Sequence, residues 1–323
     1  MQSPQSYVEE KLSRLAQDPS DIRPLKGDDL TAHIAKALLS KKFRKFAVGN
    51  DYLLHIHNAI HTNIQKNEPI KVVMAFGRYK LWRLEEAPEA DWAELFSLMF
   101  YTSWLKPIAA CYEPGVWFDF SSDDVILERL NNISKAETEA YAKSFDAVIQ
   151  YVGKYIPKNF HFTVTPVSSR YKSGEFDREL DMRIKQYMDN NRGVFPTLTP
   201  EDIALIDLNA RPTQEQLKDP LWREKNKVMH DAYMTVSQRR PYYRTEDKIL
   251  AFTNPLAKGI TVGTTKTSVA KFWAGVGALK TRGDTYIETV LSPEQVKTTS
   301  FVWAPMQLSG LEGKNFSKVR VVG

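Results

Sequence analysis

The segment Ile70–Phe76 reads Ile-Lys-Val-Val-Met-Ala-Phe, and this nearly unbroken apolar run constrains the chain more than any other. It follows Asn67-Glu68-Pro69, which stops a helix, and precedes Gly77, which permits a sharp exit. Such a run predicts a strand covered on both faces, as in a parallel sheet. The acidic residues Glu85, Glu86, Glu89 and Asp91 come next, near the start of a helix predicted over 91–110. Negative charge there complements the helix dipole. That helix is apolar almost all round (Trp92, Leu95, Phe96, Leu98, Met99, Phe100, Trp104), which predicts a central position. Pro114-Gly115 signals a turn, 116–120 reads as a second strand, and Ser121-Ser122-Asp123-Asp124 is its polar exit. Strand, helix and strand in this order make a βαβ unit, hence an α/β fold. Open sheets of that kind bind ligands beyond the carboxyl ends of their strands.

The flanks complete the expected architecture. Apolar residues at helical spacing predict helices over 7–16, 30–48 and 50–66. Ser134 with Glu137 forms a capping box for a helix running to about Lys154, and 160–167 reads as a third strand. Residues 168–245 are charged and mostly helical, over 178–188, 200–209 and 221–239. From Ile249 the pattern turns β-like, over 249–252, 259–264, 268–276 and 286–291, with a loose β segment or loop after Ser292. The expected organisation is N-terminal helices (1–66), a modified Rossmann-like α/β core with flanking helices (67–167), a helical insertion or lobe (168–245) and a β-rich C-terminal part (246–323) completing the fold.

Composition narrows the classes. A chain of 323 residues can bury a sizeable core. Its net charge of +5 comes from 44 bases against 39 acids, which leaves little for a nucleic-acid-binding stripe. The single cysteine, Cys111, rules out an intrachain disulfide framework and reads as a buried, inert thiol in Ile-Ala-Ala-Cys-Tyr. The first twenty residues are polar and no stretch of 18 apolar residues occurs, so neither a signal peptide nor a membrane span is expected. A cytoplasmic location and small-molecule substrates fit this profile; the oligomeric state stays open.

Three groups offer donors for an anionic ligand. Arg78, Lys80 and Arg83, with Tyr79 and Trp82 between them, follow the first strand. Arg239-Arg240-Pro-Tyr-Tyr-Arg244 is a second cationic, aromatic group, and guanidinium forks hold phosphate or carboxylate bidentately. Lys266-Thr-Ser268 is the third, in a Gly/Thr-rich turn whose spacing does not satisfy G-x-x-x-x-G-K-S/T. At least two of these groups are expected to face one cavity. Asp123 at a strand end suits a proton acceptor or an amine ligand, and equally a turn cap. His57 and His61 stand at i, i+4 on one helix with His55, but position 58 is Asn rather than the Glu of H-E-x-x-H, so a surface role is preferred to a metal site. There is no G-x-S-x-G elbow and no G-x-G-x-x-G after a strand, so neither a serine triad nor a dinucleotide cofactor is expected.

Residues 60–150 resemble the isocyanide (isonitrile) synthases of pyoverdine-type and dityrosine biosynthesis, as a divergent member. The matching positions are Pro69-Ile70, Phe76 with Lys80, Pro88 with Ala93-Glu94, Tyr112 with Pro114-Gly115, and Ser122-Asp123. The resemblance implies a modified Rossmann-like core. It also implies a condensation of the α-amine of an aromatic amino acid with the ketone of ribulose 5-phosphate. Under it, Lys80 and Asp123 would be catalytic, and Arg78, Tyr79, Arg239, Arg240, Arg244, Lys266 and Ser268 would bind substrate, with no metal or other cofactor. The residues alone leave two alternatives: another α/β transferase or lyase on a phosphorylated or acidic small molecule, and a non-catalytic binding protein.

Overall fold

The computed structural model describes residues 2–16, 18, 22–76, 89–192, 194–240, 242, 245–253, 258–264, 267 and 269–323, with the side chains of Leu208, Trp273 and Ala274 left aside. Three helices lead in: α1 (Pro4–Ser13), α2 (Gly27–Leu38) and α3 (Asn50–Gln65). Strand β1 (Ile70–Phe76) follows, then helix α4 (Trp92–Ala109), β2 (Val116–Ser122), a short α5 (Asp124–Arg129), α6 (Lys135–Gly153) and β3 (Phe160–Pro166). A 3-10 turn (Ser168–Arg170) opens a helical stretch of α7 (Glu175–Asn190), α8 (Pro200–Asn209), α9 (Gln214–Leu217) and α10 (Trp222–Arg239). The chain then adds β4 (Lys248–Phe252), β5 (Ile260–Thr261), a 3-10 segment (Val269–Ala274), β6 (Val276–Arg282), β7 (Thr285–Leu291), α11 (Pro293–Thr298), β8 (Phe301–Pro305) and β9 (Lys318–Val322).

Five strands form a wholly parallel sheet in the order β3-β2-β1-β4-β5. The chain moves outward from β1 to β3, then returns to β4 on the other side of β1. The order therefore reverses between β1 and β4, the switch point where open sheets leave a crevice. The segments that leave those strands, 77–88 and 254–257, lie outside the described residues. The second sheet has the order β7-β6-β9-β8, antiparallel except for the β6–β9 pair.

Side chains alternate along a strand, and partners in register share a face. One face of the parallel sheet collects Val72, Met74 and Phe76 of β1 with Phe118 and Phe120 of β2 and Phe162 of β3. Helices α4 and α6 supply Tyr101 and Phe145 to this face. The Tyr101 and Phe118 rings stack at 4.8 Å, and Phe120 meets Phe145 at 5.4 Å. The opposite face carries Lys71, Val73 and Ala75, then Trp117, Asp119 and Ser121, then Thr163 and Thr165.

Local chemistry explains the element boundaries. Helix α4 begins with a capping box: Asp91 accepts from the Ala93 N–H at 2.7 Å, and Glu94 accepts from the Asp91 N–H at 2.7 Å. Ser134 and Glu137 do the same for α6. Gly115 has φ +73°, and a Cβ there would lie 1.8 Å from the Asn159 carbonyl oxygen, so the turn into β2 requires glycine. Gly277 on β6 is needed for a different reason: a Cβ would lie 2.3 Å from the Ala93 nitrogen at the start of α4. The second sheet thus packs backbone to backbone against that helix. No helix among the described residues is long and apolar enough to cross a membrane.

Two expectations of local structure are corrected. Of the strand expected over 268–276, the described residues before Val276 form none. Val269–Ala274 is a 3-10 segment that drives Phe272 into the core, 5.1 Å from the Phe76 ring. That burial, not an alternating pattern, accounts for its apolar residues. The tail after Ser292 is not loose either: Ser292 caps α11, and β8 and β9 follow as paired strands.

Candidate functional site

Strand β2 brings a carboxylate into the middle of the sheet. Asp119 is fully buried, on the face opposite the phenylalanines. Its Oδ1 accepts hydrogen bonds from the Thr163 and Thr165 hydroxyls, the latter at 2.8 Å. Thr163 in turn accepts from the Trp117 indole N–H at 2.8 Å. Burial raises the Asp119 pKa above the usual carboxylate range; the threonine hydroxyls, the Tyr242 hydroxyl and the Arg170 charge pull the other way. Asp119 Oδ2 is buried without a hydrogen-bond partner among the described residues; Ser122 Oγ is too, but on the phenylalanine face. In a polar cluster, such atoms are positions a ligand or water would satisfy.

A cationic, aromatic cap lies over this face. The Arg170 guanidinium, from the 3-10 turn after β3, donates to the Ser121 hydroxyl and sits 5.0 Å from the Tyr242 ring centroid. Lys248 Nζ, from β4, is 4.5 Å from the centroid of the same ring. Trp117 meets Tyr242 edge-on at 6.2 Å. Burial and the neighbouring Asp119 push the Tyr242 hydroxyl up to about 12. Burial lowers the Lys248 ammonium, against the opposing pull of Asp247.

Asp123 occupies the carboxyl end of β2. Its backbone N–H donates to the Phe76 carbonyl at 3.1 Å, which ties it to the end of β1. Its Oδ1 accepts from the Tyr233 hydroxyl of α10 at 2.7 Å. Burial raises its pKa to about 6; the Tyr233 hydrogen bond and Arg170 lower it, and Asp124 raises it. Asp124 is engaged separately, accepting from the Ser168 hydroxyl and, at 3.3 Å, from the Ser168 backbone N–H. Asp123 makes no side-chain cap to the α5 helix that follows it. A carboxyl group that titrates near neutrality at a strand end is suited to passing protons.

The other described candidates, Arg239 and Arg240, diverge. Arg78, Tyr79, Lys80, Arg244, Lys266 and Ser268 lie outside the described residues. Arg239 pairs with Glu179 at 2.7 Å and lines a hollow of about 680 Å³ between α7 and α10. Arg240 pairs with Glu175 at 2.7 Å, donates to the Arg170 carbonyl at 3.1 Å and lies 4.6 Å over the Tyr171 ring. It therefore reaches the polar cluster through Arg170, whereas Arg239 faces away. Thr264 and Thr267, which flank the third cationic group, line a cleft that does not include Arg239. His55 stacks on Tyr52 and its Nε2 donates to the Lys248 carbonyl at 2.8 Å. Among the described residues, no group of three or more His, Cys, Asp or Glu could hold a metal ion. Cys111 is buried, and burial raises its thiol to about 11.

Sequence reasoning missed Asp119, Arg170, Tyr233 and Lys248. A signal for Asp119 was present: a lone carboxylate inside Val-Trp-Phe-Asp-Phe, alternating with Trp117 and Ser121. Arg170, Tyr233 and Lys248 stand 51, 114 and 129 positions beyond Asp119, and no local pattern links them to it.

Neither a protein-family model nor a curated protein matches the sequence. Among solved structures, the fold is similar to that of the PvcA protein from Pseudomonas aeruginosa, with a TM-score of 0.58 over 91% of this chain and 100% of that one. Sequence identity across the match is 15%, so the likeness establishes a shared architecture.

Proposed function

We propose that the chain is a biosynthetic enzyme of the isocyanide-synthase type, which condenses the amine of an amino acid with a sugar phosphate such as ribulose 5-phosphate. The observation that carries this reading is Asp123: a carboxyl group with a pKa of about 6, hydrogen-bonded to Tyr233 and tied to the end of β1 beside the switch point. The fold shared with PvcA and the motif order of residues 60–150 support it.

In this reading the amine nitrogen adds to the ketone carbon, and Asp123 collects the proton that the nitrogen loses. It passes that proton to the alkoxide oxygen to give the carbinolamine, then carries the second N–H proton to the same oxygen. That oxygen leaves as water with both amine protons, and an imine remains. Tyr233 holds the Asp123 carboxylate in place between the two transfers. Lys80, Arg78 and Arg170 supply positive charge for the phosphate, with Arg240 behind Arg170. Tyr79, Arg244, Lys266 and Ser268 would complete the substrate contacts. The reaction takes place in the cytoplasm.

The test is incubation of the purified chain with tyrosine or tryptophan and ribulose 5-phosphate, followed by mass spectrometry of the products. An isonitrile product is expected. Asp123→Asn should lower its rate by roughly 10²–10⁴-fold, the usual worth of general acid–base catalysis, with the fold retained. A wild-type rate in Asp123→Asn would return that residue to a structural role. No product at all, with thermal stabilisation only by other phosphorylated compounds, would favour a different α/β transferase or lyase. A ligand at 100 times its dissociation constant stabilises by about 2.7 kcal/mol, enough to read.

A further inference from the structure

A large cleft lies far from Asp123 in the sheet order. It lies at the β5 edge, between α1, the β6–β7 hairpin and the segment 41–45, and measures about 810 Å³. The segment is fastened to β5 like an extra antiparallel strand. Arg44 bridges Val262, the Lys45 N–H donates to the Thr261 carbonyl at 2.9 Å, and the Gly263 N–H donates to the Phe43 carbonyl at 2.9 Å. The cleft wall is therefore preformed.

Its charge is one-sided. Six cations line it (Lys11, Arg14, Lys41, Lys42, Arg44 and Arg282), against two carboxylates, Glu10 and Glu288. The carboxylates are already committed, Glu10 to Arg14 and Glu288 to Lys11 at 3.4 Å. Among the described residues, Arg44 donates to the carbonyls of Leu39 and Phe46, at 2.9 and 2.7 Å. Lys41, Lys42, Arg44 and Arg282 have no carboxylate partner among the described residues. The excess of four positive charges in one cleft compares with a net +5 for the whole chain. A concave, single-sign surface of this kind concentrates anions.

The floor differs in character. A chamber of about 200 Å³ adjoins the cleft and shares Lys11, Lys42, Thr264, Thr267 and Glu288 with it. Its remaining lining is largely apolar: Leu15, Phe43, Phe96, Met99, Phe100 and Val269, with Ser103 at the rim. Phe43 and Phe100 meet edge-to-face at 5.4 Å. A hydrocarbon-lined space of roughly 150 Å³ holds a benzene ring, so this chamber has room for a one- or two-ring group.

We propose that this cleft is a second binding site, for an amphiphilic anion: a phosphate or carboxylate at the cationic mouth on an aromatic or short aliphatic body in the chamber. Its residues are disjoint from the polar cluster on β2 and β3, and the site stands or falls independently of the reaction proposed above. The apolar chamber, which opens inward from the cationic mouth, favours a free small molecule over the headgroups of a flat bilayer.

Titration calorimetry with 1-naphthyl phosphate tests it, with inorganic phosphate and 2-naphthol as the two halves of the ligand. One-to-one binding of the ester is expected, with each half at least about tenfold weaker. Replacing the two exposed lysines (Lys41→Gln with Lys42→Gln) should weaken the ester by at least about tenfold. Ser103→Trp, at an exposed position on α4, should block the chamber, weaken the ester to a similar degree and leave inorganic phosphate unchanged. Circular dichroism confirms that both variants fold. The proposal fails if the ester shows no saturable binding, if either variant binds it as wild type does, or if inorganic phosphate binds as tightly as the ester. It also fails if phosphatidylglycerol vesicles are bound, independently of Ser103→Trp, while the ester is not.

Discussion

The two faces of strand β2 are built to opposite rules. Phe118 and Phe120 point into a layer of aromatic rings. Trp117, Asp119 and Ser121, one position out of phase, point into hydroxyls, a guanidinium and a phenol. Yet Asp119 is as inaccessible to solvent as Phe118 and Phe120, although its neighbours Trp117, Thr163 and Thr165 are half-buried. Burial alone therefore does not tell a core from a site. The difference lies in what burial does to each group: it stabilises a phenyl ring, and it penalises an ionised carboxylate unless hydrogen bonds offset the cost.

The comparison can be broken by substitution, and the largest effect should come from the aromatic face. Phe120 touches six other rings, those of Phe76, Tyr101, Phe118, Phe145, Phe162 and Phe272. Phe120→Ala should cost about 3–5 kcal/mol of folding stability, read by urea denaturation. A cost below about 1 kcal/mol would mean that the layer collapses around the gap and is not a fixed core.

Next in size is a pH effect at Asp123. Its folded pKa, about 6, is raised above the unfolded carboxylate value. The folded state therefore holds this proton more tightly. The stability that the proton contributes is complete below the unfolded pKa, near 4, and is lost as pH rises through about 6. Asp123→Asn lacks this titration. The variant should gain on the wild type by about 2 kcal/mol between pH 4 and pH 7, as shown by paired denaturation curves. A constant difference across that range would place the group in water.

A smaller effect is expected at Asp119. Asp119→Asn removes a charge that burial disfavours and keeps the shape, so stability at pH 7 should change by no more than about 1 kcal/mol in either direction. Product formation should nonetheless fall if this face holds substrate. A loss of several kcal/mol would reassign Asp119 to the framework. A comparably small change is expected for Tyr233→Phe. It deletes the hydrogen bond that lowers the Asp123 pKa, at a cost of roughly 1 kcal/mol. The acidic limb of the rate–pH profile should move upward, and an unmoved limb would separate Asp123 from catalysis.

The aromatic face was far more legible in the sequence than the polar one. Ile70–Phe76 matches its prediction residue for residue, and the capping box at Ser134 and Glu137 is present as read, because short-range patterns set both. The Phe272 segment misled because β-like composition cannot distinguish a strand from a 3-10 turn forced inward by an aromatic anchor. Of the candidate site, Asp123 was legible as a polar residue at a strand end. Its partner Tyr233 lies 110 positions away and was not, since only packing of α10 over the sheet brings the hydroxyl to it. The Arg239-Arg240 pair shows the same limit. Adjacent in sequence, the two arginines are drawn apart by Glu179 and Glu175, one to an outer hollow and one toward Arg170.

The order of the parallel sheet has a consequence for synthesis. Strand β1 is central in the finished molecule, yet its partner β4 follows it by 177 positions, from Lys71 to Lys248. A ribosome adding about 5–20 residues per second needs roughly 10–35 seconds to make that interval. Throughout it, Val-Val-Met-Ala-Phe has one open edge, an invitation to pair with another nascent chain. The helical stretch from α7 to α10 is made during this wait, and α3, which ends up against both β1 and β4, is made before it begins. The emerging polypeptide thus carries a temporary aggregation hazard that the finished sheet conceals, and a chaperone that shields strand edges would matter most in that window.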